Sequence, residues 1–386
     1  MKILITTTLL LACIATMTAT AATRTYDNGG GDRLWTNPDN WVEGSAPVAG
    51  DDIVITTGDM NNNVIPEGTQ TVGNVSFTQN LSWLGKWWGG APGPIILEGP
   101  NVEGAGCFGS YVTLSNDIAW SNDQTGGGLY GRFQGFVSGP HSIANIGDGD
   151  LRFDQQNTYS GGTYISNGQV RCYNPTGGEL GSGPVYMDGG DIYWGAGVEQ
   201  PCDNDFVINQ LGTFRAQNGT SARLNGQFQG GGGIQFDTDD DSVLVFAGDG
   251  DNTVQFWWYA MYKGHVQIDK VGTFNAGSCD FTFQNWQSFA DASLTLNDGV
   301  TWDDNIVIKG CKDVVLGGVN TGGSCTFDAA VALSDGGTAN SISLEQAAGG
   351  TCTFAQGFTD GAGIALTKTG DGVVEHEFRP SGAGSH

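Results

Sequence analysis

Two dense clusters of aromatic residues are the side chains of this sequence best suited to binding. Trp87 and Trp88 belong to the first cluster, and Trp257, Trp258 and Tyr259 belong to the second. Neighbouring residues of a β-strand point to opposite faces, so Trp257 and Trp258 cannot both be buried. An outward ring can stack on a sugar or contact another protein. These five residues are the candidate sugar or protein contacts, and burial beneath a loop or a cap is the structural alternative.

Three adjacent carboxylates, Asp239, Asp240 and Asp241, form the best candidate metal site. Like charges in sequence favour a counter-ion, and carboxylate oxygens are the ligands that calcium prefers. The run fits no twelve-residue EF-hand loop, and aspartate beside glycine is also ordinary turn chemistry. Calcium is therefore a candidate ligand, a simple turn is the alternative, and no other cofactor is expected.

Three cysteines recur in one short sequence motif. Cys279, Cys325 and Cys352 each follow a glycine and a hydroxyl residue and each stand two residues before a phenylalanine. In a stack of coils, equivalent positions lie above one another, so the three cysteines are predicted to form an internal ladder of small apolar groups. Buried thiols and at least one disulfide both stay open. Zinc is not expected, because the sequence has no Cys-x-x-Cys pair.

The remaining chemistry-bearing residues show no catalytic pattern. Basic residues, among them Arg132, Arg152, Arg171 and Arg215, are scattered along the chain. The four histidines share no spacing with a serine or cysteine nucleophile. We therefore expect no enzymatic activity. A polysaccharide lyase or hydrolase built on paired carboxylates is the less favoured alternative.

The charge balance restricts the partners. The chain has 41 acidic and 15 basic side chains, a formal net charge of −26. Such a surface repels nucleic acid and anionic lipid, so neither is expected as a main partner. A solvated, aggregation-resistant exterior is the simplest interpretation of the charge.

Short strands must position these residues. Sixty-four glycines, with Asn and Asp, separate runs rich in Val, Ile, Phe and Thr. Asp191 to Trp194 and Phe206 to Ile208 are examples; Thr253 to Trp258, His265 to Ile268 and Thr273 to Ala276 continue the series. Strands recur about every 8–12 residues, which predicts an all-β chain with three strands in a coil of about 25–30 residues. A β-sandwich has similar spacing and is the alternative fold.

The segment at about 143–194 resembles a known repeat. It contains Gly147-Asp148-Gly149-Asp150 and then Asn157-Thr158-Tyr159-Ser160-Gly161-Gly162-Thr163. A second segment, 364–378, matches only the first of these two motifs. These motifs resemble the autotransporter-associated β-strand repeat of bacterial surface proteins. The opening section, with Trp35 and Trp41, is similar to repeat-bearing exported proteins of planctomycete and verrucomicrobial type. The resemblance implies a right-handed parallel β-helix, or β-solenoid.

The sequence divides into three parts. Residues 1–21 are predicted to be a signal peptide, although a lipid anchor through Cys13 is an alternative. Residues 22–130 are predicted to form an N-terminal cap and the first coils, because the end of a solenoid must be covered. Residues 131–386 are predicted to form the repeats, the last of them incomplete. No second apolar segment is long enough to span a membrane.

These observations together predict a secreted or surface-exposed protein without catalytic activity. Its expected role is structural or adhesive, at the cell surface or in an extracellular matrix. The expected partners are a surface polysaccharide or further copies of the chain in a homopolymer. A carbohydrate-binding module that uses the exposed tryptophans is the alternative.

Overall fold

A computed structural model of the chain describes residues 21–58, 63–80, 82–85, 92–124, 130–270, 272–277, 279–284, 291–309, 313–333, 341–359 and 365–378. These residues form short strands joined by turns and loops, with a 3-10 helix at Pro38–Asn40. The strands pair in parallel and stack in about 13 turns, so the chain is a β-solenoid, or β-helix, as predicted. The alternative of a β-sandwich is wrong, because a sandwich is built from antiparallel strands.

Each coil contributes up to three strands, and we number the sides of the solenoid in chain order. Side 1 contains Thr23–Tyr26, Asp52–Ile55, Val75–Phe77, Asn101–Glu103, Ile118–Ser121, Ile143–Asn145, Thr163–Ile165, Val185–Met187, Phe206–Ile208 and Phe228–Gly230. Later coils place at this position Thr301–Trp302, Ser324–Phe327, the start of Thr351–Thr359, and Val373–Phe378.

Side 2 follows side 1 in each coil. It contains Ser82–Leu84, Gly106–Phe108, Tyr130–Phe133, Asp150–Phe153, Gln169–Cys172, Asp191–Trp194, Gly212–Ala216, Gly233–Thr238, the start of Trp258–Ile268, Phe281–Gln284, Ile306–Lys309, Val331–Leu333 and the end of Thr351–Thr359. Equivalent residues of successive strands are register partners, so side chains at one position stack along the solenoid.

Side 3 is built in two sections. The first contains Gln70–Val72, Ile95–Leu97, Val112–Leu114 and Val137–Ser138. The second contains Glu199–Cys202, Ser221–Leu224, Val243–Phe246, the end of Trp258–Ile268, Ala292–Leu296, Asp313–Gly318, Ser341–Gln346 and Ala365–Thr369.

Inward side chains fill the interior with stacked rings and aliphatic groups. The ring centroids of Phe108 and Phe133 lie 5.3 Å apart, and those of Phe133 and Phe153 lie 5.5 Å apart. Phe327 and Phe354 repeat this stack near the other end, at 4.7 Å. Each such buried side chain contributes on the order of 1.5–3 kcal/mol. The described interior is therefore a packed core.

The tryptophans of the opening section pack on the first coil. Trp35 and Trp41 are both 2% exposed, and their rings meet edge to face at 5.0 Å. The indole N–H of Trp41 donates to the carbonyl of Trp35, and its ring contacts Tyr26 of the first strand. The two tryptophans are therefore part of the packed core at the first strand, and the N-terminal cap stays a prediction together with the domain division.

Side 3 is interrupted between its two sections, although residues 130–270 are described without a gap. Two loops, at 154–162 and 173–184, take the place of strands there, and the second carries the buried Glu179. One carboxylate oxygen of Glu179 accepts hydrogen bonds from the backbone N–H of Asn174, at 2.6 Å, and from the side chain of Gln200. Burial raises the pKa of Glu179 to about 7 and outweighs these hydrogen bonds, which lower it.

Candidate binding surface on side 2 of the solenoid

Side 2 carries a row of arginines on its outer surface. Arg132, Arg152 and Arg171 are register partners on consecutive strands, and Arg215 follows two strands after Arg171, with Tyr193 between them. We call Arg132, Arg152, Arg171 and Arg215 the arginine ladder. Neighbouring strands lie about 4.8 Å apart, so stacked guanidinium groups repel one another unless other groups compensate.

Carboxylates and aromatic rings provide that compensation. Asp154 forms ion pairs with both Arg132 and Arg152. The guanidinium carbon of Arg152 lies 3.9 Å from the ring centroid of Tyr173, a cation–π contact. Arg171 lies over the ring of Tyr193 in the same way, at 5.2 Å. The ladder is thus a fixed array of charged and planar groups.

A groove of about 460 Å³ lies where sides 1 and 2 meet, beside the ladder. It is lined by Asp148, Asp150, Asn167, Gly168, Gln169, Arg171, Gly189, Asp191 and Arg215. Apart from the two glycines, every lining residue carries a planar polar group. The groove therefore offers hydrogen-bond donors and acceptors side by side.

Two ion pairs define the groove. Arg171 Nη2 lies 2.6 Å from Asp150 Oδ2, and Arg215 Nη2 lies 3.1 Å from Asp191 Oδ2. Arg215 also pairs with Asp237 through Nη1, at 3.2 Å. The arginine side chains are about a third exposed, 32% and 33%, so a ligand can reach them. Burial raises the pKa of Asp150, and the charge of Arg171 opposes this effect.

The corner turn fixes the groove's wall. Gly168 has a φ of +57°, and a Cβ at this position would lie 2.2 Å from the carbonyl oxygen of Gly149 in the preceding coil. Glycine is therefore required by both conformation and space. The preceding Asn167 donates from its amide group to the carboxylate of Asp148. The groove is consequently built on tightly packed backbone.

The structure describes only part of the predicted aromatic contacts. Trp257 faces outward and is 57% exposed, in agreement with the expectation that one tryptophan of its pair is not buried. Trp258 begins the strand Trp258–Ile268, and its side chain lies outside the described residues. Trp87 and Trp88 also lie outside them. Of the five candidates, Trp257 is the residue whose outward side chain the structure describes.

Tyr259 does not face a partner, which corrects its selection as a contact. It is 1% exposed, and its ring packs against Phe256, Phe281 and Trp302 inside the solenoid. Trp257 lies in a bend before the strand, so the alternation of the strand begins only after it and places Tyr259 on the inner face. Burial also raises the pKa of Tyr259 well above its usual value.

Two of the three carboxylates in the candidate calcium run have partners within the chain. Asp239 lies 3.6 Å from Lys263 Nζ and accepts from the backbone N–H of Asn218 at 3.3 Å. Asp241 accepts from the backbone N–H of Gly219 at 3.1 Å. Within the described ranges, no group of three or more His, Cys, Asp or Glu residues is arranged to hold a metal ion. Calcium at Asp239, Asp240 and Asp241 stays a candidate, and the partners of Asp239 and Asp241 within the chain favour its alternative, a simple turn.

The predicted cysteine ladder has two members in the structure. Cys325 and Cys352 are register partners on neighbouring strands, and both are buried. Cys279 lies elsewhere in its coil, just before the side 2 strand Phe281–Gln284, and is only partly buried. Cysteines that share this sequence motif therefore lie at different positions in their coils. The six cysteines among the described residues are free thiols; Cys311 is not described.

Sequence reasoning missed the arginine ladder, whose members it treated as scattered. The register partners Arg132, Arg152, Arg171, Tyr193 and Arg215 are separated by 20, 19, 22 and 22 positions. Those intervals are the length of one coil, so the signal was present in the spacing.

These features define the class of protein as a parallel β-solenoid with a filled interior and a charged outer face. A 214-residue match, 22% identical, links the chain to "Adhesin BmaC autotransporter" of Brucella suis biovar 1 (strain 1330). The match covers 53% of this chain and 6% of that protein. No family model matches, and neither does any solved structure. The fold and the match fit an autotransporter-like β-helix protein, whereas the specific repeat family stays a prediction.

The described part of the chain has no helix that is long and apolar enough to cross a membrane. The predicted signal peptide and Cys13 lie outside the described residues.

Proposed function

We propose that this chain is a non-catalytic adhesive module, exported and displayed at a bacterial surface or in an extracellular matrix. The observation that carries the proposal is the position of the charged and polar side chains. The arginine ladder and its groove occupy an outer sheet face, whereas the interior is filled by side chains such as Phe108, Phe133 and Phe153. Such a face presents a rigid pattern to another surface.

The similarity to an autotransporter adhesin supports the same proposal. The net charge of −26 further supports a partner that is neither nucleic acid nor anionic lipid. The exposed Trp257 favours a second candidate function, a carbohydrate-binding module that stacks this ring on a sugar.

The test asks whether the folded chain adheres to cells or polysaccharides without cleaving them. Beads coated with residues 22–386 are applied to bacterial cells, to host cells and to immobilised polysaccharides, with beads carrying the heat-unfolded chain as control. The same polysaccharides are assayed for new reducing ends and for unsaturated sugars. Retention of the folded chain without sugar release is expected. Release of either product would overturn the non-catalytic role, and equal retention of both bead types would overturn specific adhesion.

Self-assembly is tested separately by negative-stain microscopy of the concentrated chain with and without calcium. Filaments or sheets would identify further copies of the chain as the partner, and single rods in both conditions would exclude a homopolymer.

A further inference from the structure

We infer that the groove on side 2 binds an uncharged polysaccharide that runs along the solenoid. The inference rests on the proposed adhesive function and names the class of ligand that the groove would recognise.

The groove is unsuited to a metal cation. The guanidinium groups of Arg171 and Arg215 stand within it and are paired with Asp150 and Asp191. A cation would have to displace these positive charges, which are themselves about a third exposed.

The groove is equally unsuited to a polyanion. Its lining has three aspartates, Asp148, Asp150 and Asp191, against two arginines. The surrounding chain adds a net charge of −26, which repels an approaching polyanion over a Debye length of about 8 Å. The ligand that fits is polar and uncharged.

Sugar hydroxyl groups can form hydrogen bonds with both the carboxylates and the guanidinium groups of the groove. A hydroxyl donates one hydrogen bond and accepts others, so it can donate to a carboxylate while accepting from a guanidinium group. An Asp–Arg ion pair presents both functions on planar groups side by side, and these suit two adjacent hydroxyls of one sugar ring. The groove, of about 460 Å³, is largely open to solvent, so it suits a chain that lies on the surface better than an enclosed small ligand.

The strongest observation is that the same pair occurs twice with the same register. Asp150, Gln169 and Asp191 are successive register partners, and so are Arg171, Tyr193 and Arg215. Each arginine reaches back to the aspartate of the preceding coil. The two pairs are therefore related by a shift of two coils, or about 10 Å along the solenoid. An extended glycan with a regular repeat meets equivalent groups at two points along its length.

The experiment is affinity electrophoresis of the folded chain in gels that contain dextran, galactomannan or xylan, or the polyanion alginate. We expect one or more of the uncharged polysaccharides to slow migration and alginate to have no effect. Arg215→Gln removes the guanidinium group that pairs with Asp191 and with Asp237, and should weaken binding at least about 10-fold. Gln169→Ala leaves both ion pairs in place but removes a lining amide, and should weaken binding by about 3-fold or more.

Two matched variants locate the site. Arg223→Gln breaks an ion pair with Asp269 on side 3 and should bind like the unaltered chain. Trp257→Ala should also leave binding unchanged, because Trp257 does not line the groove. Circular dichroism and thermal melting must match between Arg215→Gln and Arg223→Gln, so that lost folding is not mistaken for lost binding.

The outcomes are decisive in both directions. Retardation by no uncharged polysaccharide, stronger retardation by alginate, or equal binding by Arg215→Gln and the unaltered chain would each overturn the inference. If the coated beads nevertheless adhere to cells, the adhesive function stands and only the assigned ligand fails. If neither assay detects binding, the proposed function fails as well.

Discussion

Replacing Glu179 by glutamine should flatten the dependence of folding stability on pH. Glu179 lies in the second of the two loops that interrupt side 3, is 2% exposed, and is flanked by the buried thiols of Cys172 and Cys202. Burial raises its pKa from 4.5 to about 7. Glutamine retains the oxygen that accepts from Asn174 and Gln200, so the substitution removes the titration and little of the hydrogen bonding.

The sign of the effect follows from which state holds the proton. Because the folded-state pKa is raised, the folded chain keeps the proton to a higher pH than the unfolded chain does. The stability from Glu179 is complete below about pH 4.5 and is lost as the pH rises through about 7. With these two pKa values, the free energy of unfolding falls by about 2.5 kcal/mol between about pH 5 and about pH 8.5.

Urea unfolding at several pH values between these limits measures the effect. Relative to the unaltered chain, Glu179→Gln should gain about 2.5 kcal/mol of stability on going from the lower to the higher pH. Glu199→Gln is the matched control, since Glu199 is exposed on the neighbouring side 3 strand. Asp304 keeps a residual slope in every variant, because burial raises its pKa to about 7 also. Parallel pH profiles for Glu179→Gln and the unaltered chain would refute the reasoning.

Three further predictions use the outer surface and the thiols. Trp257→Ala should change the free energy of unfolding by less than about 0.5 kcal/mol, because the ring is exposed, and a larger loss in urea unfolding would mean that it packs against the solenoid. Millimolar calcium should shift the melting temperature by less than about 1 °C, since the carboxylates of Asp239 and Asp241 have partners within the chain. A calcium-dependent rise that Asp240→Asn abolishes would contradict this. Iodoacetamide should modify Cys279 in the folded chain at least about 100-fold faster than Cys352, which is fully buried. Mass spectrometry of the labelled peptides measures both rates, and the opposite order would show that the burial of the two thiols is misassigned.

Strand alternation predicted much of the fold. Asp191–Trp194 and Phe206–Ile208 have the bounds expected from sequence. In contrast, the stretch from Thr253 to Trp258 is loop until the strand Trp258–Ile268 begins, and 273–276 is also loop. Val254, Phe256 and Phe274 are nonetheless buried there. Alternating apolar residues thus report which side chains enter the core, even where the backbone is irregular and only some of its groups, such as the N–H of Gln255 to the carbonyl of Gly230, bond to the preceding coil.

The binding surface was less predictable, because it depends on the length of the coil. The sequence indicated coils of about 25–30 residues, whereas Gln169 and Asp191 are register partners 22 positions apart, and Asp150 and Gln169 are 19 apart. With the longer period, arginines on side 2 do not align, and they were treated as scattered. The exposure of one tryptophan needed only a local argument about adjacent residues, whereas the burial of Tyr259 depends on where its strand begins.

The parallel stacking of coils has a mechanical consequence for an adhesive. The hydrogen bonds between strands run along the axis of the solenoid, so a pulling force on that axis opens one coil after another. A coil such as the one from Phe206 to Phe228 has 22 residues and releases about 70 Å of extended chain when it peels away. We expect a force–extension trace with repeated steps of about this length. A tether of this kind lengthens under a sudden load, so the force on the bond between the adhesive and its partner rises more slowly.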